Sequence, residues 1–553
     1  MNTLASLLLF ALTTLPVAAQ GGGMESMHPS DTATPERLGN VSFSVSCSPS
    51  VQAPFNRGVA LLHDFWYEEA QRQFEAIVKA DPNCGMAHWG VAMSQFHQIW
   101  DRPDATAVAQ GWSEMQKAQS PPAKTERERK YIAALSGFFK PGKEDFQARI
   151  DAYSAAMGGL YSHYPEDVDA GAFYALSMLA AEKPDDTSLT QQRKAMAVLN
   201  PLFAKYPDNP GVVHYIIHSC DNPAMASQAL AASDRYGEIA PSGAHAVHMP
   251  GHIYARLGMW PQDINSQLAS IAAAEAVEKR GESSIMDEPH SYDFLLYAYL
   301  QSGQDTSAQG VLDRSSALLT RLESMPDMVG HAMGGAMVPY YRSKLPTFYA
   351  LEMRNWKSAA ALEPAGGAPP EVATMTYWAR AIGAGHLRQP EQAQADLAKY
   401  DALIVEIKKG KHSYYAEGTG PQIERDEMLA WTACAEGKQD EALKHMRAAA
   451  DLQDKVGQAE VDIPAREMLA DMLRESHQPQ QALAEYQVSL KLSPNRFNGL
   501  YNAGMAAEEA GDKAKAGQYY AALLKSTDDG AQSSRPEFAH IKSFVSSTQL
   551  AVK

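Results

Sequence analysis

The chain has 553 residues, a hydrophobic content of 45% and a formal net charge of −17. A single compact core rarely extends over so many residues, so this length indicates several domains or a repeat array. The acidic balance argues against nucleic-acid binding, which depends on basic surfaces. Beyond residue 19 no run is apolar for the ~20 residues of a membrane helix, so we expect no membrane span after signal cleavage.

The N-terminus has the composition of an export signal. Residues 4–15 are mostly apolar and are followed by Pro-Val-Ala-Ala at residues 16–19, the small-residue pattern of a signal-peptidase site. We therefore expect a signal peptide over residues 1–19 and a disordered linker over residues 20–44. The mature protein is then periplasmic or secreted.

Four cysteines follow: Cys47, Cys84, Cys220 and Cys434. An exported protein meets an oxidising compartment, where disulfides persist. Cys47 lies just before the first predicted helix and Cys84 just after the second, and a helical hairpin would bring both to the same end. We predict a disulfide between them, with two unpaired buried thiols as the alternative. Cys220 and Cys434 are expected to be buried in apolar surroundings.

A 34-residue period runs along the chain. A frame that begins at Val51 puts Gly58 and Ala70 at the small positions of a tetratricopeptide (TPR) hairpin, Phe74 at the aromatic position and Pro82 at the end. Small residues let the two helices approach, the aromatic ring fills the gap, and proline ends the second helix. The same register recurs in frames that begin at Pro210, Ala244 and Pro289, then through Ala482, Tyr486 and Pro494, and through Gly504, Ala516 and Tyr520.

Four short motifs of the N-terminal half carry a closer resemblance: Phe55-Asn56-Arg57-Gly58, His88-Trp89-Gly90, Arg127-Glu128-Arg129, and His-Ala-Val-His-Met-Pro-Gly-His-Ile at residues 245–253. Along most of residues 50–530 the chain resembles TPR proteins. Over residues 45–320 the motifs look like an exported bacterial TPR family of unknown function. The resemblance implies a helical-repeat fold with a concave ligand-binding groove, and it implies no established activity.

We therefore predict an all-α, TPR-like α-solenoid of helical hairpins in two arrays. The N-terminal array covers residues 45–362 and the C-terminal array residues 372–545. A segment rich in proline, glycine and alanine at residues 363–371 forms the linker between them. Such repeat proteins are scaffolds, so a protein or peptide partner is expected.

Two His-x-x-x-His pairs, His214/His218 and His248/His252, lie 34 residues apart. Residues four apart share one side of a helix, so each pair can direct two imidazoles to a common centre. The repeat frame puts both pairs on the same face of consecutive first helices. Six of the seventeen histidines fall between residues 214 and 290, and the same face and its flanks carry Asp221, Asn222, His245, Arg256, His290 and Asp293.

Packed helices lie 8–10 Å apart, so imidazoles of neighbouring helices can meet at one ion. Neutral imidazole suits zinc, copper or iron, and a carboxylate can add an oxygen ligand or orient a histidine. We predict metal ligands at His214, His218, Asp221, His248 and His252. The predicted ligand-binding residues beside them are Asn222, His245, Arg256, His290 and Asp293.

Three alternatives stay open from the sequence. The histidines and acids can form a structural hydrogen-bond network; the groove can be a metal-free scaffold in which Arg256 and Asn222 meet a peptide carboxylate. The third is a metal-dependent enzyme with an open coordination position. A zinc protease is disfavoured because neither pair has the His-Glu-x-x-His pattern. No catalytic residue is assigned, and a binding protein is favoured over an enzyme.

Overall fold

The computed structural model describes residues 36–550, apart from 100–101, 143–144, 184–185, 281–285, 326–334, 411–412 and 459–460. Two compact units divide the chain, Met1–Glu36 and Arg37–Lys553. The predicted signal peptide and the first part of the predicted linker, up to residue 35, lie outside the described residues. The second unit carries all features discussed below.

The N-terminal half of the second unit is helical. Its α-helices are α1 (Gln52–His63), α2 (Tyr67–Ala80), α3 (Gly85–Met93), α4 (Ala105–Ala118), α5 (Glu126–Phe139), α6 (Phe146–His163), α7 (Val168–Ala180), α8 (Thr190–Lys205), α9 (Pro210–Cys220), α10 (Leu230–Ile239), α11 (Ala244–Arg256), α12 (Trp260–Lys279), α13 (Asp287–Gln301) and α14 (Asp305–Glu323).

The C-terminal half continues in the same way. Its α-helices are α15 (Met337–Glu352), α16 (Trp356–Ala360), α17 (Pro370–His386), α18 (Pro390–Ile407), α19 (Ser413–Glu417), α20 (Thr419–Ala435), α21 (Gln439–Val456), α22 (Ala465–Glu475), α23 (Pro479–Leu492), α24 (Phe497–Glu509), α25 (Lys513–Ser526) and α26 (Glu537–Leu550). In the part of the chain described here, none of these helices has the length and apolarity needed to cross a bilayer.

Consecutive helices pack as hairpins, and the first helix of one hairpin contacts the first helix of the next. The pairs include α1 with α2, α11 with α12 and α24 with α25, and the row of first helices runs through α7, α9, α11, α13 and α15. The predicted small–aromatic pairing recurs at both ends, because Gly58 lies against the ring of Phe74 and Gly504 against that of Tyr520. The described residues of the second unit form an all-α, TPR-like solenoid, as predicted.

The two helices that carry the His-x-x-x-His pairs are delimited by local signals. Asn209 caps α9 by accepting a hydrogen bond from the Val212 N–H, and Pro210 occupies the first turn. Helix α11 ends at Arg256, and Gly258 follows in the left-handed region at φ 64°. Each helix therefore presents its pair over the middle turns.

Residues 37–44 differ from the predicted disorder. They are not helical, but Leu38 and Phe43 are buried, and the Phe43 ring contacts those of Phe55, Trp89 and Tyr131. Burial of these apolar side chains offsets the conformational entropy that the segment loses on ordering, which a polar linker could not offset. The prediction of a disordered linker is therefore wrong for these residues.

A disulfide joins Cys47 to Cys84, the pair that the sequence singled out, with the two Cα atoms 5.1 Å apart. It links the segment before α1 to the start of α3. Cys220 and Cys434 are buried thiols. Burial raises the pKa of the Cys220 thiol to about 12, so this thiol stays protonated at neutral pH.

The division into two arrays stays a prediction. Buried apolar residues on both sides of residues 363–371 belong to one cluster, which extends from Phe348 to Phe544. The histidine-bearing repeats also contact the C-terminal repeats: the Arg256 guanidinium donates to the Gln458 carbonyl at 2.7 Å, and the Trp260 indole N–H donates to the Asn495 carbonyl at 2.8 Å. This part of the predicted groove is therefore covered by protein.

Candidate metal centres

The six predicted histidines lie on three adjacent first helices. His214 and His218 are on α9; His245, His248 and His252 are on α11; and His290 is on α13. Their rings form a continuous row, in which His214 and His245 have centroids 5.1 Å apart, His245 and His248 6.0 Å, and His248 and His290 4.4 Å. The repeat register thus brings together the histidines that the sequence placed on one face.

The row divides into two groups of three. The first centre comprises His214, His218 and His245, and the second centre comprises His248, His252 and His290. In each group, one ligand atom per residue lies within 4.8 Å of the others. The sequence suggested instead that both pairs converge on one ion. The difference arises because each pair closes on itself and takes its third histidine from the next segment of the row.

Within each pair the two Nε2 atoms face each other. Those of His214 and His218 are 2.9 Å apart, and those of His248 and His252 are 2.8 Å apart. At this distance a proton or a cation must lie between the two nitrogens, because two lone pairs repel.

In the first centre, a backbone carbonyl sets the tautomer of His214. Its Nδ1–H donates to the carbonyl oxygen of His63 at 2.6 Å. A carbonyl can only accept, so the Nδ1 of His214 carries the proton and its Nε2 presents a lone pair. His63 is itself held by Tyr215 and Asp169, 2.9 and 3.0 Å from its ring nitrogens, and all three side chains are buried.

In the second centre, side chains set the tautomers of His248 and His252. The Nδ1–H of His252 donates to Asp221 Oδ2 at 2.8 Å, and that of His248 donates to Gln267 Oε1 at 2.6 Å. Gln267 in turn donates to Asp263 Oδ1 at 2.8 Å. A carboxylate or carbonyl on the second ring nitrogen is the usual orientation of metal-bound histidine. The sequence did not identify His63, Gln267 or Asp263.

Asp221 was predicted as a metal ligand, and its contacts assign it a different position. It lies between His252 and Arg256, whose Nε donates to Asp221 Oδ1 at 2.8 Å. Burial alone would raise the pKa of Asp221, but the charge of Arg256 and the hydrogen bonds from Arg256 and His252 hold it well below its usual range. The carboxylate is therefore ionised. It orients His252 and lies outside the group formed by His248, His252 and His290.

Two further predicted residues have partners away from the centres. The side chain of Asn222 accepts a hydrogen bond from the Met225 N–H at 3.1 Å, which stabilises the turn after α9. Asp293 forms a buried ion pair with Lys344 Nζ at 2.5 Å. His245 and His290, predicted as ligand-binding residues, instead complete the two centres.

Three of the six histidines are buried, and His218, His252 and His290 are partly exposed. The exposed fraction is 0% for His214, 1% for His248 and 6% for His245. Burial, together with the neighbouring histidines, lowers the pKa of each of these three imidazoles well below its usual value, and that of His218 to about 3. These four rings are neutral at physiological pH, and neutral imidazole is the form that binds metal.

A phenylalanine packs on each centre. Phe65 stacks on His218 and His245 at centroid distances of 5.3 and 5.6 Å, and Phe294 lies 4.5 Å from His252. Phe65 has φ 58°, a left-handed conformation that is costly for a bulky residue. It belongs to the turn between α1 and α2, at the position of the repeat where Gly258 and Gly303 also have positive φ.

No protein-family model matches the chain, and no curated protein is similar to it at a significant level. Solved structures to which the chain is similar include the following three. The human IFIT1 dimer with m7Gppp-AAAA is 12% identical, covers 80% of this chain and 90% of its own, and has a TM-score of 0.36. Naa15/Naa10 bound to HypK-THB is 11% identical, with coverage of 90% and 96% and a TM-score of 0.21. The APC/C hetero-tetramer Cut9-Hcn1 is 12% identical, with coverage of 89% and 95% and a TM-score of 0.25.

At such identities and TM-scores the likeness does not extend to function. The stacked hairpins define the class on their own: the chain is a TPR-like helical-repeat protein.

Proposed function

We propose that this helical-repeat protein binds two transition-metal ions, one at each three-histidine centre. The observation that carries the proposal is the state of the ring nitrogens. His214 and His252 are held by acceptors that cannot donate, so each directs an Nε2 lone pair at a second Nε2 less than 3 Å away. In the second centre Gln267 holds His248 in the same way, so two lone pairs meet there and a cation satisfies both. In the first centre a cation satisfies the lone pair of His214.

The donor set narrows the choice of metal. Three neutral imidazole nitrogens suit zinc, copper or iron, whereas calcium and magnesium prefer oxygen ligands. Two neighbouring first helices supply each centre, so an ion bound there stabilises the folded repeats over the unfolded chain. We therefore infer a role in metal binding within a scaffold.

We also propose that the scaffold is exported. Its support is the disulfide between Cys47 and Cys84, since such bonds persist in oxidising compartments. The apolar run at residues 4–15 agrees with this location. Binding of a protein or peptide partner stays a prediction from the repeat architecture.

Metal content after selective loss of each centre tests the proposal. The full chain is stripped with a chelator, loaded with zinc, desalted and analysed by mass spectrometry of the elements. We expect two ions per chain, and one in each of two variants: His218→Ala with His245→Ala, and His252→Ala with His290→Ala.

His445→Ala is the matched control. This histidine pairs with Asp426 at 2.9 Å on α20 and α21, away from the centres, and the variant should retain both ions. A wild-type chain that retains no zinc, copper or iron contradicts the proposal. So does retention of both ions in the two double variants.

A further inference from the structure

A groove lies between α4 and α5, and none of its lining residues belongs to the two histidine centres. Its volume is about 540 Å³, within the roughly 300–1,000 Å³ of known ligand pockets. Trp112 on α4, with Pro122 and Ala123 in the segment between the helices, forms one wall, and a stripe of α5 forms the other. We call it the α4–α5 groove.

The α5 wall is cationic at both ends and apolar or small in between. Arg129 and Lys140 are eleven residues apart, which is about three helical turns and roughly 16 Å along the axis, so both lie on the same face. Between them the stripe consists of Ile132, Ala133, Ser136 and Gly137.

The polar groups in the middle of the groove satisfy each other. Gln119 Nε2 donates to Ser136 Oγ at 2.8 Å, and Ser136 Oγ donates to the Ile132 carbonyl at 2.6 Å. Trp112 is half-buried and Ala133 is exposed. The middle of the groove therefore accepts apolar side chains.

The ends of the groove carry positive charge. Arg129 Nη1 donates to the carbonyl oxygens of Ala123 and Lys124, at 2.8 and 2.9 Å, which fixes the guanidinium and leaves its charge. Among the described residues, no carboxylate forms an ion pair with Arg129 or Lys140. Residues 112–140 contain six lysines and arginines and three glutamates, in a chain of net charge −17. The three glutamates have other partners: Glu114 pairs with Lys117, Glu126 with Lys130, and Glu128 accepts from Ser46.

This arrangement complements a helix that has an apolar face between two acids. A second helix lying along the groove has the same rise per residue, so two of its residues eleven positions apart lie opposite Arg129 and Lys140. Apolar residues between those acids on the same face fill the space beside Trp112. A small molecule with one carboxylate meets only one end of the groove.

We propose that the α4–α5 groove binds an amphipathic helix of a partner protein, in which an apolar face separates two acidic residues eleven positions apart. The inference rests on the protein partner predicted above from the repeat architecture, and it does not depend on the metal centres.

Fluorescence anisotropy of a synthetic peptide tests this inference on the full chain. The peptide is held helical by a hydrocarbon staple and carries two glutamates eleven positions apart, with three leucines between them on the same face. We expect saturable binding that Arg129→Glu with Lys140→Glu weakens by about tenfold or more, since attraction at both ends becomes repulsion. Ala133→Trp should also weaken it, because the larger side chain fills the middle of the groove.

Lys399→Glu with Lys444→Glu is the matched control, because it makes the same change in net charge at exposed lysines on α18 and α21. It should bind the peptide as the wild type does. A peptide with lysines in place of the glutamates should prefer the Arg129→Glu, Lys140→Glu protein to this control.

Equal affinity of the control and the groove variants places the peptide on another face, which overturns the inference and leaves the prediction of a protein partner intact. No saturable binding to the wild type also overturns it. So does equal binding of an unstapled peptide in which a central proline prevents the helix. The zinc content of the chain tests the metal centres separately.

Discussion

His252 owes its orientation to a carboxylate, and His214 owes its orientation to a backbone carbonyl. Both partners accept a hydrogen bond and cannot donate one, so each ring must present an Nε2 lone pair to its neighbour. The first of these partners can be changed by mutation. The second belongs to the main chain of His63.

Asp221→Asn can reverse the direction of the hydrogen bond between residue 221 and His252 Nδ1. The asparagine amide can donate to His252 Nδ1, which favours the tautomer with a proton on Nε2, and the ionic contact with Arg256 is lost. We expect the zinc affinity of the second centre to fall by about 10- to 100-fold, with the first centre unchanged. Competition with a chromophoric chelator measures both affinities.

Asp426→Asn is the control, because it changes a second Asp–His pair, with His445, outside the centres. It should leave both affinities unchanged. An Asp221→Asn protein with wild-type affinity at both centres would show that Asp221 does not orient a ligand.

Acid should destabilise the metal-free protein through the buried histidines. Burial, with a further contribution from His252, lowers the pKa of His218 to about 3 in the folded state, against about 6.5 for an unfolded histidine. Between these values the unfolded chain binds a proton that the folded chain does not. His218 therefore leaves the free energy of unfolding unchanged above about pH 6.5 and lowers it as the pH drops towards 3, by on the order of 1–3 kcal/mol near pH 4.5.

Urea unfolding at a series of pH values measures this slope. In His218→Gln one such histidine is removed, so the free energy of unfolding should depend less steeply on pH between 6.5 and 4. Equal slopes in the variant and the wild type would contradict the assignment. The comparison isolates His218 because the other titratable groups are common to both proteins.

The sequence could identify the histidines but not their hydrogen-bond acceptors. His214, His218, His248 and His252 stand out because their spacing matches the helix and the repeat. The His63 carbonyl comes from a segment 151 residues away, and such a contact exists only after the repeats have packed. Sequence spacing alone could not reveal it.

Helix α11 carries histidines of both centres and approaches α12 closely. Gly251, between His248 and His252, leaves space for Gln267: a Cβ at residue 251 would contact Gln267 Nε2 and would lie 2.7 Å from Asp263 Oδ1. Gln267 is the side chain that orients His248. The glycine therefore fixes the helix approach on which the second centre depends.

Gly251→Ala should displace Gln267 and with it His248. We expect the second centre to lose zinc affinity several-fold and the free energy of unfolding to fall by about 1–3 kcal/mol, the usual cost of overpacking. The same chelator competition and a urea titration measure the two effects.

Gly237→Ala provides the comparison within the neighbouring helix α10. A Cβ there would meet only Val247, at 3.9 Å, and alanine is the better helix former. This variant should keep its zinc affinity and its stability. If Gly251→Ala behaves in the same way, the close packing of α11 on α12 is not what holds Gln267.

The sequence predicted the helical hairpins but not how the histidines of neighbouring helices group into two centres. A period of 34 residues fixes which face of each helix repeats, as the recurring contacts of Gly58 with Phe74 and Gly504 with Tyr520 illustrate. It does not fix how far α9, α11 and α13 are rotated or shifted against one another. Those offsets decide that His245 joins α9 and His290 joins α11.

Across the whole unit, a buried charge cluster ties the histidine-bearing repeats to the C-terminal repeats. Arg496 is fully buried and pairs with Glu467 and Glu352, each at 2.9 Å, and its guanidinium also donates to the Tyr297 hydroxyl on α13. The resemblance to TPR proteins implied a concave ligand-binding groove along this face. Long-range pairing of this kind has no local pattern, so it could not be predicted from periodicity.

Arg496→Met should leave two buried carboxylates without their cation. Breaking a buried ion pair on one side costs about 3–5 kcal/mol, so we expect a large fall in the free energy of unfolding. Arg447→Met removes a solvent-exposed partner of Glu485 and should cost less than about 1 kcal/mol. Similar urea midpoints for the two variants would contradict a structural role of the Arg496 cluster.

We propose that the chain binds two metal ions, one in each three-histidine centre. Anomalous diffraction from crystals of the full chain grown with zinc tests it most directly. We predict two peaks per chain, one about 2.0–2.1 Å from nitrogens of His214, His218 and His245, and the other at the same distance from nitrogens of His248, His252 and His290. A single peak shared by both His-x-x-x-His pairs, or density without any ion at these histidines, would contradict it.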